Sequence, residues 1–305
     1  MSDKKRFPFV YHEGIYVKFL NKYKHGAIKN IRMLFERQFL DDVDTAILLH
    51  LQKYVYINAF LLYVLLDRQM VECNLSFCKN RLSKLEKLGF VVRFQFIYPD
   101  DRGVEHATPF VYCLSSNARK LFPVSFDQSF ENNIMEIDCV QRRLSFNQFH
   151  IMLEGQYEKA LKFSSYQFGR EFDGLYKLTF NNQPLVFYAF SIRSNEGWEK
   201  QYLNRVRQLK EYIIGANLSF SAILVICEYE YQALRAERVR SGDKGLCNLD
   251  IYYVCDYAAV AEGALLHHII AVNPEKNFSS YNIIKIHVDG QVKENVTNKA
   301  VNDKE

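Results

Sequence analysis

The stretch "NLSFCKNRLSKLEKLGFVVRFQF", Asn74 to Phe96, changes its period partway through. Before Gly89 the apolar residues Leu75, Cys78, Leu82, Leu85 and Leu88 recur at spacings of three and four, which is one face of an α-helix. After Gly89 the chain reads Phe90, Val91, Val92, Arg93, Phe94, Gln95, Phe96, which is β-branched, aromatic and partly alternating. The pattern predicts a helix that ends at a glycine and a strand that begins at once. Lys79, Arg81, Lys84 and Lys87 take the helix positions that the apolar stripe leaves over, so the outer face is cationic.

Working outward, the acidic "DDVD" caps an earlier helix with Val43, Ile47, Leu48 and Leu51 on its inner side. "YVYINAFLLYVLLDR" gives a short connection and a second helix, with Asn58 as its cap. On the other side, strand Phe90–Tyr98 is followed by the turn "PDDRGVEHATP", a return strand Phe110–Leu114, and a helix opening at "SSNARKLF". Three helices followed by a β-hairpin are the order of a winged helix-turn-helix. Its third helix is the one offered to the DNA major groove. Lys79, Arg81, Lys84 and Lys87 are therefore candidate DNA-binding residues, with Arg93 on the adjoining strand, and double-stranded DNA is the expected partner. A solvated helix face and a protein-binding winged helix are the rival readings of the same charges.

Composition agrees with a folded protein that is not a polycation. Nearly half of the 305 residues are apolar and the formal net charge is only +4, so any basic surface must be local. Nine Lys/Arg against three Asp/Glu in residues 1–37 mark residues 1–40 as a basic N-terminal arm. The seven cysteines are scattered and odd in number, which fits buried reduced thiols better than a zinc site. With no membrane-length apolar run, no membrane association and a cytoplasmic location are expected.

After a polar-leaning linker at 123–140 the pattern changes. A helix over "QRRLSFNQFHIMLEG" precedes strand-like segments at Leu175–Phe180, Pro184–Arg193, Phe220–Tyr229 and Leu249–Val254. The long helix "EGWEKQYLNRVRQLKEYII" lies between the second and third of these. Asn195 is a cap candidate there, Trp198, Tyr202, Val206 and Leu209 form its core stripe, and Arg205, Arg207 and Lys210 suit a solvated or basic surface. This alternation indicates an α/β domain at 141–292 with a mixed sheet. The final "KENVTNKAVNDKE", residues 293–305, has no apolar face and is expected to be disordered.

A helix, three strands, a helix and a strand, with "FDG" opening one strand, invite comparison with restriction-endonuclease-like nucleases. Such sites hold a divalent metal between an Asp at one strand and a Glu-x-Lys on the next. Asp173 fits the first role and Glu154 could supply an extra carboxylate. Ser191 and Arg193 stand where the Glu and Lys would be. A hydroxyl replaces a carboxylate poorly and a guanidinium is no base near neutral pH, so these four residues read as the remnant of a catalytic set. Arg193 is expected to pair with Asp173, and Glu171 and Glu196 are the nearest acids in sequence that could compensate. No metal, cofactor or enzymatic activity is expected.

"TAILLHLQKYVYINAFLLYVLL", "RLSKLEKLGFVVRFQF", "VYCLSSNARKLF", "RRLSFNQFHIML" and, more loosely, "FDGLY" with "FYAFSIRSNEGW" together resemble the replication-relaxation family of Gram-positive plasmids and integrative elements. The resemblance covers about residues 42–255 and implies a DNA-binding accessory protein in replication, transfer or maintenance of a mobile element. Replication or transfer proteins of that element would be its partners. The expected architecture is thus a two-domain α+β and α/β chain, a winged helix-turn-helix at 41–122 followed by a degenerate restriction-endonuclease-like domain. A transcriptional regulator that forms a homodimer through its second domain, and a metal-dependent nuclease, are the alternatives.

Overall fold

The computed structural model describes residues 10–19, 28–37, 39–69, 71–122, 136–167, 171–180, 182–259, 261, 264–273, 279–286 and 298–300. The chain forms two compact units, Met1–Asn147 and Gln148–Glu305. Among the described residues it is a mixed α and β protein with eight α-helices and two sheets.

In the first unit, strand β1 (Tyr16–Phe19) and helix α1 (Ile28–Glu36) precede α2 (Asp42–Tyr54), β2 (Ile57–Asn58), α3 (Ala59–Arg68) and α4 (Leu75–Lys87). Then come β3 (Val91–Pro99), β4 (Glu105–Ala107), β5 (Val111–Leu114) and the short α5 (Ser116–Arg119). The sheet runs β1-β3-β5-β2, with β4 extending the β3 hairpin, and all its pairings are antiparallel. Local chemistry sets the helix starts. Asp41, Asn58 and Asn74 each accept the backbone N–H three residues on, at 2.8–2.9 Å, satisfying a donor that the first helical turn leaves open.

The α4-to-β3 junction is as local as its sequence implies. Gly89 has φ +83°, the Gly89 N–H reaches the Glu86 carbonyl, and the Phe90 N–H reaches the Leu85 carbonyl, both at 3.0 Å. This paired closure requires a left-handed residue, which glycine adopts without a Cβ clash. Gly89→Ala is therefore expected to lower stability by about 1–2 kcal/mol in chemical denaturation, because an L side chain is strained there.

Helix α2 ends differently. Val55 lies at φ +66°, ψ −51°, and the Tyr56 N–H closes back on the Tyr54 carbonyl at 2.8 Å, a strained γ-turn. The Tyr54 carbonyl also accepts from Arg143 Nε (3.1 Å) and Asn147 Nδ2 (3.0 Å), which over-determine the turn. Those two residues belong to α6 (Ile137–Gln156), whose first half lies in the first unit. The expected domain start at 141 thus falls inside a continuous helix. Of the expected linker, residues 123–135 lie outside the described residues, and the helix has begun by Ile137.

The expected N-terminal arm is partly built into the sheet. Tyr16–Phe19 pair with Phe94–Ile97, because the open edge of β3 offers backbone groups that a short extended segment can satisfy. Residues 1–9, with the first basic cluster, lie outside the described residues.

The second unit holds the end of α6, then β6 (Leu161–Tyr166), β7 (Gly174–Phe180), β8 (Gln183–Ser191), α7 (Trp198–Gly215), β9 (Ala222–Cys227), α8 (Glu230–Ser241) and β10 (Ile251–Cys255). Strands β11 (Ile269–Val272), β12 (Ser280–Ile284) and β13 (Asn298–Ala300) complete an eight-stranded sheet in sequential order. Strands β8, β9 and β10 are parallel neighbours and the other pairings are antiparallel. Trp198, Tyr202, Val206 and Leu209 are core, as their spacing predicts. Asn195 does not cap α7 through its side chain: Gly197 stands at the N-cap with no side-chain bond. The tail is not wholly without structure either. Asn298–Ala300 pair with Ser280–Asn282, since strand pairing at a sheet edge needs only backbone groups and no apolar face.

Candidate functional site

Two regions carry the residues singled out from sequence. The first is α4. Its apolar side, Cys78, Leu82 and Leu85, is fully buried, which turns the opposite side outward. Ser76, Lys79, Asn80 and Lys87 are exposed and Ser83 is half-buried, all on one face of the helix. Leu75, assigned to the inner stripe by spacing, is 39% exposed at the helix start.

The five candidate cations do not share one environment. Arg81 Nη1 lies 2.5 Å from Asp41 and 3.4 Å from Asp44, and Lys84 Nζ pairs with the other Asp44 oxygen. Asp44 is wholly buried, so two charges of α4 are committed to α2. The Asp41 carboxyl sits below the usual carboxylate range: burial opposes this, but the Asp44 N–H and then Arg81 outweigh it. Arg93 is half-buried, 3.3 Å from the buried Glu86 and 4.6 Å from the centre of the Phe110 ring. Lys79 and Lys87 alone among the five are exposed with no ion pair among the described residues. The spacing of charges could not separate these roles. The exposed Ser76 and Asn80 and the half-buried Ser83, which carry no charge, were legible only as leftovers of the same periodicity.

The hairpin beyond α4 is acidic. Asp100, Asp101 and Glu105 surround Arg102 at its tip. Asp100 is occupied internally, accepting from the Arg102 and Val104 N–H groups at 3.0 and 2.9 Å, with His106 Nε2 at 3.0 Å.

The second region lies at the carboxyl ends of β8, β9 and β10. Ser191 pairs with Ile226 and Ile226 with Val254, so Arg193, Glu228 and Asp256 follow two residues later on each strand. All three are buried. Arg193 Nη1 meets Asp256 Oδ2, its Nη2 lies 3.2 Å from Asp256 Oδ1, and Glu228 Oε1 is 3.8 Å away. Burial disfavours the guanidinium charge, yet Asp256 and Glu228 more than offset it and raise the Arg193 pKa. Glu228 also accepts the Ser194 N–H at 3.0 Å.

Asp173 is buried immediately before β7, but Arg193 is not its partner. Its Oδ1 lies 2.5 Å from Arg205 Nη2 and its Oδ2 accepts the Ser191 N–H at 3.1 Å. The expected Arg193–Asp173 pair is replaced by two separate pairs, because α7 carries Arg205 to β7 while the parallel register carries Asp256 to Arg193. Arg205 is therefore an interior group and not a surface cation. Arg207 is held by Asp243 at 2.7 Å, and Lys210 donates to the Gly245 carbonyl at 2.5 Å. The acids gathered at Arg193 are Glu228 and Asp256, not the sequence neighbours Glu171 and Glu196. Glu154 accepts from the Ser164 hydroxyl at 2.7 Å and lies 3.3 Å from His150 Nε2.

This donor set does not fit a hard divalent cation. Such an ion needs several anionic oxygens turned to one empty point, and here Asp173, Glu228 and Asp256 each face an arginine or a backbone N–H, while Glu154 faces the Ser164 hydroxyl and His150. Among the described residues no group of three or more His, Cys, Asp or Glu side chains could hold a metal. No helix among them is long and apolar enough to cross a membrane.

Comparison with protein-family models, curated proteins and solved structures gave no match.

Proposed function

We propose that the chain binds double-stranded DNA through the outward face of α4, and that its second unit is a restriction-endonuclease-like fold that no longer cleaves. The single observation that carries the first part is that face: Lys79 and Lys87, with no ion pair among the described residues, share it with the short polar chains Ser76, Asn80 and Ser83, and no large apolar group stands among them. Lysines neutralise phosphates, and short polar chains let a helix approach base edges closely. The order α2, β2, α3, α4, β3, β5, with β2 joining the hairpin through β5, supports a winged helix-turn-helix reading. For the second unit, a helix, three antiparallel strands, a helix and a strand parallel to the third support the endonuclease-like reading. The resemblance then implies accessory work in replication, transfer or maintenance of a mobile element.

The acidic hairpin tip favours a second reading, in which the same unit grips a basic protein surface. The two readings separate in one experiment. Fluorescence anisotropy with a mixed-sequence duplex is expected to show binding that weakens linearly in logarithmic salt, because neutralised phosphates release counterions. No duplex binding at low salt by a folded chain would overturn the DNA reading and leave the protein-contact one.

For the second unit, Mg²⁺ or Mn²⁺ is expected to produce no cleavage of supercoiled, linear or single-stranded DNA. Asp173 is wholly buried, with one oxygen on Arg205 and the other on the Ser191 N–H, so its charge is already paired and closed off from a hydrated metal. Metal-dependent nicking that disappears in Asp173→Ala would show a working nuclease instead.

A further inference from the structure

We infer that Asn80 is the residue through which α4 selects sequence, and that it selects an adenine in the major groove. This inference rests on the DNA-binding reading above and goes beyond it by naming the base and the reader.

The argument starts from what each exposed side chain of α4 can distinguish. Lys79 and Lys87 are donors only, on flexible stems; a lysine can reach guanine O6 and N7, but its point charge is satisfied equally by any phosphate. Ser76 and Ser83 carry rotatable hydroxyls that serve as donor or acceptor toward any base. Asn80 alone on this face holds a donor and an acceptor in one rigid plane. That pair matches the N7 acceptor and N6 donor of adenine and no other base edge in the major groove.

Its position suits the task. Asn80 lies in the second turn of α4, one turn after Ser76 and beside Lys79, within the amino-terminal half that a groove-lying helix turns toward base edges. It is exposed, and no hydrogen bond or ion pair engages its amide among the described residues. Asn58 and Asn74, at the starts of α3 and α4, differ: they accept the N–H groups of Leu61 and Phe77 and are consumed by capping. Asparagine is also a poor choice for an exposed helix interior on propensity alone, since its amide competes with the backbone. A lysine or glutamate would serve a merely solvated position better.

The test begins with selection of duplexes from a randomised pool by the full chain. Affinities are then measured for the enriched duplex, each of its single base-pair variants and an unselected duplex. Asn80→Ala is expected to weaken the enriched duplex about 5- to 150-fold, the range of one bidentate base contact. The unselected duplex should lose less than the enriched one, and the salt slope should keep its value because Asn80 carries no charge to neutralise a phosphate. One A·T pair should be discriminated by the wild type and no longer by the variant. As a control, Lys79→Ala should weaken both duplexes alike. Discrimination at every position retained in Asn80→Ala would overturn the assignment. A wild-type chain that binds no duplex would overturn the DNA reading and this assignment with it, so the two failures are distinguishable. Asn80 is exposed and makes no hydrogen bond or ion pair among the described residues, so circular dichroism should show the variant folded.

Discussion

Arg193→Ala is expected to destabilise the second unit by about 3–5 kcal/mol, the usual cost of removing one partner from a buried ion pair. The size follows from what would be left behind. Asp256 and Glu228 are both buried against Arg193, with Nη1 in contact with the first and 3.8 Å from the second. Without the guanidinium, two carboxylates would face each other in a poorly solvated interior, and folding would require at least one to take up a proton. Denaturant unfolding of the second-unit transition measures the loss, and the deficit should shrink as pH falls toward the carboxylate range. Pairing the change with Asp256→Asn should recover part of the stability, because the stranded charge is removed along with its partner. A loss below about 1 kcal/mol, the size expected for an exposed pair, would mean that water reaches the cluster.

Reversing the two α4 lysines that have no ion pair among the described residues, Lys79→Glu with Lys87→Glu, is expected to lower duplex affinity by at least a hundredfold at about 0.1 M salt. Each lysine should account for roughly one unit of the salt slope, and each introduced carboxylate adds repulsion from the phosphates. Reversing Arg81 or Lys84 makes a different prediction from one based on the charge pattern of the helix. Those residues neutralise Asp41 and the wholly buried Asp44, so their reversal should act first on folding. Thermal unfolding alongside anisotropy separates the two effects. Equal loss of affinity from all four positions, with unfolding unchanged, would show that Arg81 and Lys84 leave Asp41 and Asp44 to meet the duplex.

The sequence by itself determined the elements whose causes are local. Asn58 and Asp41 could be read as caps because the donor each satisfies lies three residues away. Gly89 could be read as a stop because a left-handed residue is required at that position whatever surrounds it. The core stripe of α7 was legible for the same reason, since Trp198, Tyr202, Val206 and Leu209 repeat with the helix. Strand β1 was not legible: Tyr16–Phe19 have no strong alternation, and they are strands because β3 has an open edge. What only the tertiary structure decided was which charges are free. Arg81 meets Asp41 across 40 residues of chain and Arg193 meets Asp256 across 63. A side chain's charge is written in the sequence, but its partner is set by helix packing and strand register. The cationic face of α4 was therefore visible as composition, whereas its reduction to Lys79 and Lys87, and the division of Asp173 and Arg193 into separate pairs, came from long-range geometry that no local pattern encodes.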